Sequence, residues 1–179
     1  MSVAAAFATW LGAFFIVLSE GRRGLALGLA LTTIGFTVLV WIGGEQLAAG
    51  AVLLGGAVAS IQRLRRGREG WGVMPPGSTS RLVLAIGAGL LALWISTSVM
   101  TGPGATLRFA VLTSLAMMGA RALSDIQPAA VLTVVAALAL SVAVASGMAD
   151  TGPGPSPYFA AGLIALGVSA VRVSGSDGA

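Results

Sequence analysis

The chain has 179 residues, of which 56% are hydrophobic and only 9% are charged, and its formal net charge at pH 7 is +4. An ordinary soluble domain carries about 25% charged residues, so this chain could not cover a water-facing surface with polar groups. The composition excludes a soluble globular domain, a disordered chain and a disulfide-rich secreted scaffold, and it predicts one compact integral membrane domain.

Seven charge-poor apolar runs predict an all-α bundle of about seven transmembrane helices, because about 20 apolar residues cross the hydrocarbon core of a bilayer. The runs are long and continuous, which favours helices over the alternating strands of a barrel. The predicted spans are 2–19, 24–43, 46–62, 82–100, 106–123, 127–148 and 157–173. They form a single domain, 1–173, and residues 174–179 are predicted to be a short flexible tail.

The arginines predict the orientation of the spans, because cytoplasmic loops carry an excess of positive residues. With the N-terminus outside, only Arg108 falls on the outer side. The inner side then receives nine arginines, which are Arg22, Arg23, Arg63, Arg65, Arg66, Arg68, Arg81, Arg121 and Arg172. We therefore expect a protein of a bacterial inner membrane, with its N-terminus outside and its C-terminus in the cytoplasm.

A turn sequence recurs in the second half of the chain, as Thr101-Gly102-Pro103-Gly104 and again as Thr151-Gly152-Pro153-Gly154. At the same offset, Phe109-Ala110 matches Phe159-Ala160. We interpret spans 4–5 and 6–7 as tandem copies of one helical hairpin, with spans 2–3 as a diverged third copy. Chance self-similarity in a sequence rich in Ala, Gly and Leu is the alternative. Gly and Pro suit turns that end helices, although interrupted segments at matching repeat positions also occur at substrate sites.

Small residues at four-residue spacing predict close helix packing, since lipid tails do not drive helices together. Gly24 and Gly28 form a GxxxG pair at the start of span 2. Span 6 carries a longer stripe of small residues, which are Ala129, Thr133, Ala137, Ser141 and Ala145. We expect this stripe to pack span 6 inside the chain, and the alternative is that it receives a helix from a partner.

An arginine-rich loop follows span 3 and contains Arg63, Arg65, Arg66, Arg68 and Trp71. Clustered arginines beside a membrane attract anionic lipid, and Trp favours the interface. We expect these residues to contact lipid, with docking of a cytoplasmic partner as the alternative. The basic run is short and follows the positive-inside pattern, so no nucleic-acid partner is expected.

Arg108 is the one arginine that the predicted topology places on the outer side. It lies one or two residues inside span 5, where a long side chain reaches the headgroups while its stem stays in the lipid. We expect a lipid or partner contact here. An ion pair with Glu45 or Asp150 and a contact to an anionic substrate are the alternatives.

The residue types that the sequence lacks restrict its chemistry. There is no Cys, no His and no Lys. This removes disulfides and thiolate nucleophiles, the usual metal ligand and general base, and the lysine that a retinal-type Schiff base needs. No ionisable residue lies at the middle of a span, where proton and ion paths carry them. We therefore expect no catalytic residue, metal or cofactor.

These features favour a non-catalytic membrane subunit with a structural or assembly role in a larger complex, in contact with lipids and with other integral membrane subunits. The alternative is a small oligomeric transporter or channel for a neutral or anionic solute. Hydroxyl groups in spans 2, 4 and 5 would line its path, and these include Thr32, Thr33, Thr37, Ser96, Thr97, Ser98, Thr113 and Ser114.

Overall fold

The structure is a computed structural model that describes residues 1–65, 70–72, 79–99, 104–124, 128–147 and 155–170. Within these ranges the chain forms α-helices and no β-strand, which confirms the predicted all-α fold. The helices are α1 (Ser2–Leu18), α2 (Arg22–Ile42), α3 (Gln46–Arg65), α4 (Thr79–Val99), α5 (Ala105–Ser124), α6 (Pro128–Ser146) and α7 (Ser156–Ala170). The predicted tail at 174–179 and most of both repeated turns lie outside the described residues.

Three of the described helices, α2, α3 and α5, are long and apolar enough to cross a membrane. The other helices contribute shorter apolar segments, which are Ser2–Leu18, Leu82–Ala92, Ala130–Ser146 and Ser156–Val168. These lengths and compositions are compatible with membrane integration, as the sequence predicts.

Some helices extend beyond the apolar runs from which they were predicted. Helix α2 begins at Arg22 rather than at residue 24, and α3 continues to Arg65 rather than ending at residue 62. The apolar run marks the part of a helix that suits hydrocarbon, whereas backbone hydrogen bonding carries the helix on into polar surroundings. The arginines at these ends are therefore helical.

Helices α1 and α2 pack antiparallel with their backbones in close contact. Contacts between them join Gly35 to Ala5, Gly28 to Gly12 and Gly24 to Ser19. A Cβ atom at Gly12 would lie 2.5 Å from the backbone nitrogen of Thr32. The absence of side chains at these positions is what allows the two helices to approach so closely.

Helix α6 lies at the centre of the bundle. It packs against α5 and α7 and also touches α1, α2 and α3. Ala137, Leu140 and Val144 are fully buried, while Val135 and Val142 are exposed. Helix α4 lies at the periphery of the bundle, because it contacts mainly α5 and, to a smaller extent, α1. Its outer face therefore exposes several large apolar side chains, among them Val83, Leu84, Leu90, Leu91 and Trp94.

The helix directions place most described arginines at one end of the bundle. Arg121 near the end of α5 contacts the end of α1, and residues 70–72 contact the turn between α1 and α2. We call this the arginine-rich end, and the arginines there whose side chains the structure describes are Arg22, Arg23, Arg63, Arg65 and Arg121. The other end, where α1 and α5 begin, is called the Arg108 end.

Candidate functional site

Arg121 is fully buried at the arginine-rich end, in the last turn of α5. Its Nη1 atom donates a hydrogen bond of 2.7 Å to the carbonyl oxygen of Val17, and its Nη2 atom donates one of 3.1 Å to that of Ser19. Carbonyl groups in the last turn of a helix have no partners within the helix, and they carry the negative end of its dipole. Arg121 therefore closes the C-terminal end of α1.

Residues 70–72 form a second contact at the same end. The backbone N–H of Glu20 donates to the carbonyl of Gly72 at 3.0 Å, and that of Arg23 donates to the carbonyl of Gly70 at 3.3 Å. Gly72 has a φ of +52°, and a Cβ atom there would lie 2.5 Å from the nitrogen of Gly21. A segment predicted only as a lipid or partner contact thus also binds the α1–α2 turn.

The predicted lipid or partner contacts fall at both ends of the bundle. Arg63 and Arg65 lie in the last turn of α3, where Arg65 is exposed, and Trp71 is half exposed. Arg108 is exposed in the first turn of α5, at the other end. The structure therefore does not bring Arg108 together with the rest. Arg66 and Arg68 lie outside the described residues.

The predicted packing residues lie between helices of this chain. Gly24 and Gly28 are buried against α1. Within the stripe of α6, Thr133, Ala137 and Ser141 are buried and Ala145 is partly buried. The side chain of Ala129 lies outside the described part. Since the three buried residues are already covered, the central part of the stripe is not available to a partner chain.

A glycine contact between α3 and α7 joins helices that are distant in sequence. A Cβ atom at Gly55 would lie 2.7 Å from the Cα atom of Gly162. The Gly55 position is part of a small-residue row that the sequence displays in span 3. Its partner in α7 is revealed only by the tertiary structure.

Most of the buried hydroxyl groups that the structure describes are satisfied by the backbone of their own helices, whereas the Oγ atom of Ser19 is buried without a hydrogen-bond partner. Six of them donate to a carbonyl one turn earlier at 2.6–3.0 Å, and these six are Thr9, Thr32, Thr33, Ser60, Thr113 and Ser141. Ser141 also lies 3.1 Å from the hydroxyl of Ser114, across the α5–α6 contact. Such bonds let a hydroxyl sit in an apolar interior at little cost. None of these residues lines the apolar cleft between α1, α4 and α5.

An apolar cleft of about 730 Å³ lies between α1, α4 and α5. Its walls include Phe7, Trp10, Phe14, Gly89, Phe109 and Met117. The rings of Phe7 and Trp10 are 5.5 Å apart, and those of Trp10 and Phe14 are 5.6 Å apart, so the three form a continuous aromatic wall. Thr106 supplies the only hydroxyl of the lining, and no lining side chain is ionisable. The cleft therefore suits hydrocarbon.

The described residues offer no cluster of three or more acidic side chains that could hold a metal ion. Comparison of the chain with protein-family models, with curated proteins and with solved structures found no match. Function is therefore inferred from the geometry of this chain alone.

Sequence reasoning missed two features of this site. The sequence places Arg121 near the inner end of span 5, but nothing in its local sequence indicates which helix end it meets. One wall of the cleft is visible in the sequence, because Phe7, Trp10 and Phe14 are spaced three and four residues apart and therefore share one face of α1. Nothing in the sequence indicates that α4 stands away from this face.

Proposed function

We propose that all seven helices cross the bilayer in alternating directions. Helices α2, α3 and α5 are long and apolar enough to cross a membrane. Helix α7 has 15 residues and α1 has 17, which correspond to about 22 and 25 Å at 1.5 Å per residue. Short spans of this kind are accommodated by local thinning of the bilayer and by flanking residues that reach the interface.

The distribution of arginines supports the proposed orientation, with the arginine-rich end in the cytoplasm of a bacterial cell. Five arginines whose side chains the structure describes lie at that end, and Arg108 lies at the other. Positive residues in short loops are retained on the cytoplasmic side of inner membranes. In this arrangement the N-terminus is outside.

We further propose that the bundle is built from tandem hairpins, α2–α3, α4–α5 and α6–α7. In each pair the two helices contact one another. The recurring Thr-Gly-Pro-Gly turn and the Phe-Ala pair that follows it support a common origin of the last two pairs.

The function that the geometry supports best is that of a non-catalytic structural subunit in a larger membrane complex. The observation that carries it is how the buried polar groups are used: most described buried hydroxyls bond helix backbone, and Arg121 binds the end of α1. None of these groups lines the apolar cleft between α1, α4 and α5. Exposed apolar faces on α3, α4 and α7 leave room for lipids and other membrane subunits.

Purification in mild detergent tests this function. We expect other integral membrane chains to co-purify in fixed stoichiometry and to stay bound through size-exclusion chromatography. A matched preparation from cells that lack the chain controls for unspecific capture. Recovery of a stable homo-oligomer that moves a neutral or anionic solute into liposomes would favour the transporter alternative and contradict the structural role.

A further inference from the structure

The length and the apolar lining of the cleft suit a hydrocarbon chain. On α5 its lining runs from Ala105 to Met117, a distance of about 18 Å along the helix axis. One leaflet of a bilayer whose hydrocarbon core is about 30 Å thick is about 15 Å deep, so the cleft matches the length of an acyl chain.

The cleft begins at the Arg108 end and continues toward the middle of the bundle. Val3 and Ala105 lie at its Arg108 end, which we call the mouth, and Phe14 and Met117 line the part nearer the middle of the bundle. It is partly open to the outer surface of the bundle. A chain that enters it thus lies along the helices, as acyl chains of a bilayer do.

The charge at the mouth indicates which headgroup accompanies that chain. Arg108 is exposed in the first turn of α5, between the lining residues Thr106 and Phe109. It is the only described arginine at this end. Glu45 lies at the same end, but on the α2–α3 turn, and neither of those helices lines the cleft. A guanidinium group at this depth pairs well with a phosphate group.

We propose that the cleft binds one acyl chain of an anionic phospholipid and that Arg108 binds the phosphate of the same molecule. The lipid comes from the leaflet at the Arg108 end. This inference rests on the membrane placement proposed above and not on the role as a subunit, so the two are tested separately.

Native mass spectrometry of the purified full-length protein tests lipid binding. The protein is reconstituted into vesicles of equal parts phosphatidylglycerol and phosphatidylcholine and extracted in mild detergent, and the retained phospholipids are counted. We expect one retained molecule, with a preference of about fivefold for phosphatidylglycerol, which is the effect of one positive charge near a membrane surface. Absence of a retained lipid, or equal retention of the two lipids, would overturn the proposal.

Two glycines of α4 provide a matched pair of variants for the cleft. A Cβ atom at Gly89 would lie 3.5 Å from the Cε atom of Met117, inside the cleft, whereas nothing lies within 4 Å of one at Gly87. We expect Gly89→Leu to fill the space and abolish retention, and Gly87→Leu to retain the lipid. Retention by both variants would show that the lipid binds elsewhere.

Two exposed arginines test the headgroup without disturbing the interior. Arg108→Gln is expected to abolish the preference for phosphatidylglycerol, while Arg65→Gln at the other end leaves it unchanged. Because Arg108 is exposed, we expect Arg108→Gln to fold, and this variant tests the headgroup contact even if Gly89→Leu does not fold. If a co-purifying protein chain, and no lipid, is lost on Gly89→Leu, a partner helix occupies the cleft and the proposal is wrong. Lipid retention by a chain without partners would support this proposal and contradict the subunit role.

Discussion

The guanidinium group of Arg121 donates a hydrogen bond of 2.7 Å to the carbonyl oxygen of Val17, across two helices separated by about one hundred residues of sequence. A charge buried in a bundle is costly unless its donors are used. Here two donors are used by the carbonyl groups that end α1, which are themselves without helical partners. The contact thus gives both carbonyl groups a donor and joins α5 to α1.

Replacing Arg121 is expected to destabilise the bundle. Arg121→Met removes two hydrogen bonds to a charged group, each of which contributes about 1.5–3 kcal/mol, and leaves the α1 carbonyls without donors. We expect the melting temperature in detergent to fall by several degrees. Arg121→Lys should lower the melting temperature less than Arg121→Met, because an ammonium group keeps the positive charge although it lacks the forked donors of a guanidinium group.

Arg108→Gln is the control for this change, because it removes an arginine from the same helix at an exposed position. Its melting temperature should stay close to that of the unmodified protein. Equal losses for Arg108→Gln and Arg121→Met would mean that the α1–α5 contact does not depend on Arg121.

The close approach of α1 and α2 predicts opposite effects for two glycine substitutions. In Gly12→Ala the new methyl group would lie 2.5 Å from the nitrogen of Thr32 and 2.6 Å from the oxygen of Gly28, which are backbone atoms that cannot turn away. We expect a loss of about 1–3 kcal/mol in the free energy of unfolding. Gly50→Ala has nothing within 4 Å and should gain up to about 1 kcal/mol from helix propensity.

The free energy of unfolding of both glycine variants is measured by titration with a denaturing detergent, and unfolding is followed by the loss of the helical circular dichroism signal. The two substitutions add the same atom to a helix, so only the surroundings differ. A Gly12→Ala variant as stable as Gly50→Ala would refute the backbone-to-backbone packing of α1 and α2.

The contact of residues 70–72 with the α1–α2 turn predicts a local effect at Gly72. Its φ of +52° disfavours a side chain, and the added methyl group would meet the nitrogen of Gly21. We expect Gly72→Ala to release the segment and speed hydrogen exchange at the amides of Glu20 and Arg23. Gly44→Ala is matched, because φ is +92° there and nothing lies within 4 Å. Gly44→Ala should carry a similar backbone strain of about 1–2 kcal/mol from the positive φ, but it should leave the amides of Glu20 and Arg23 protected from hydrogen exchange.

The proposed topology predicts the labelling of single cysteines, which is clean because the chain contains no cysteine. In intact cells a membrane-impermeant maleimide should label Arg108→Cys and leave Arg65→Cys unlabelled. After permeabilisation both should react, since both positions are exposed. Labelling of Arg65→Cys from outside would invert the orientation, and labelling of both from outside would contradict the alternating spans.

The all-helical, membrane-compatible character of the protein and the approximate positions of its helices follow from the amino-acid sequence without a structure. Apolar run length and composition are local properties, and they require no knowledge of neighbours. The observed α2 and α3 therefore lie close to the predicted spans, and they differ at their ends because helical hydrogen bonding outlasts the apolar run. Arginine placement in the loops was likewise visible without a structure.

The choice of which helices pack against one another, in contrast, is visible in the folded bundle and not in the sequence. The tertiary structure placed α6 at the centre, joined Gly55 of α3 to Gly162 of α7, and directed Arg121 to the end of α1. It also gave α4 only a limited contact with α1, and the cleft lies between these two helices and α5. The reason is physical: lipid satisfies every apolar face equally well, so hydropathy does not choose partners among helices. That choice depends on matching small surfaces and on satisfying polar groups across long stretches of sequence, and both are properties of the folded bundle.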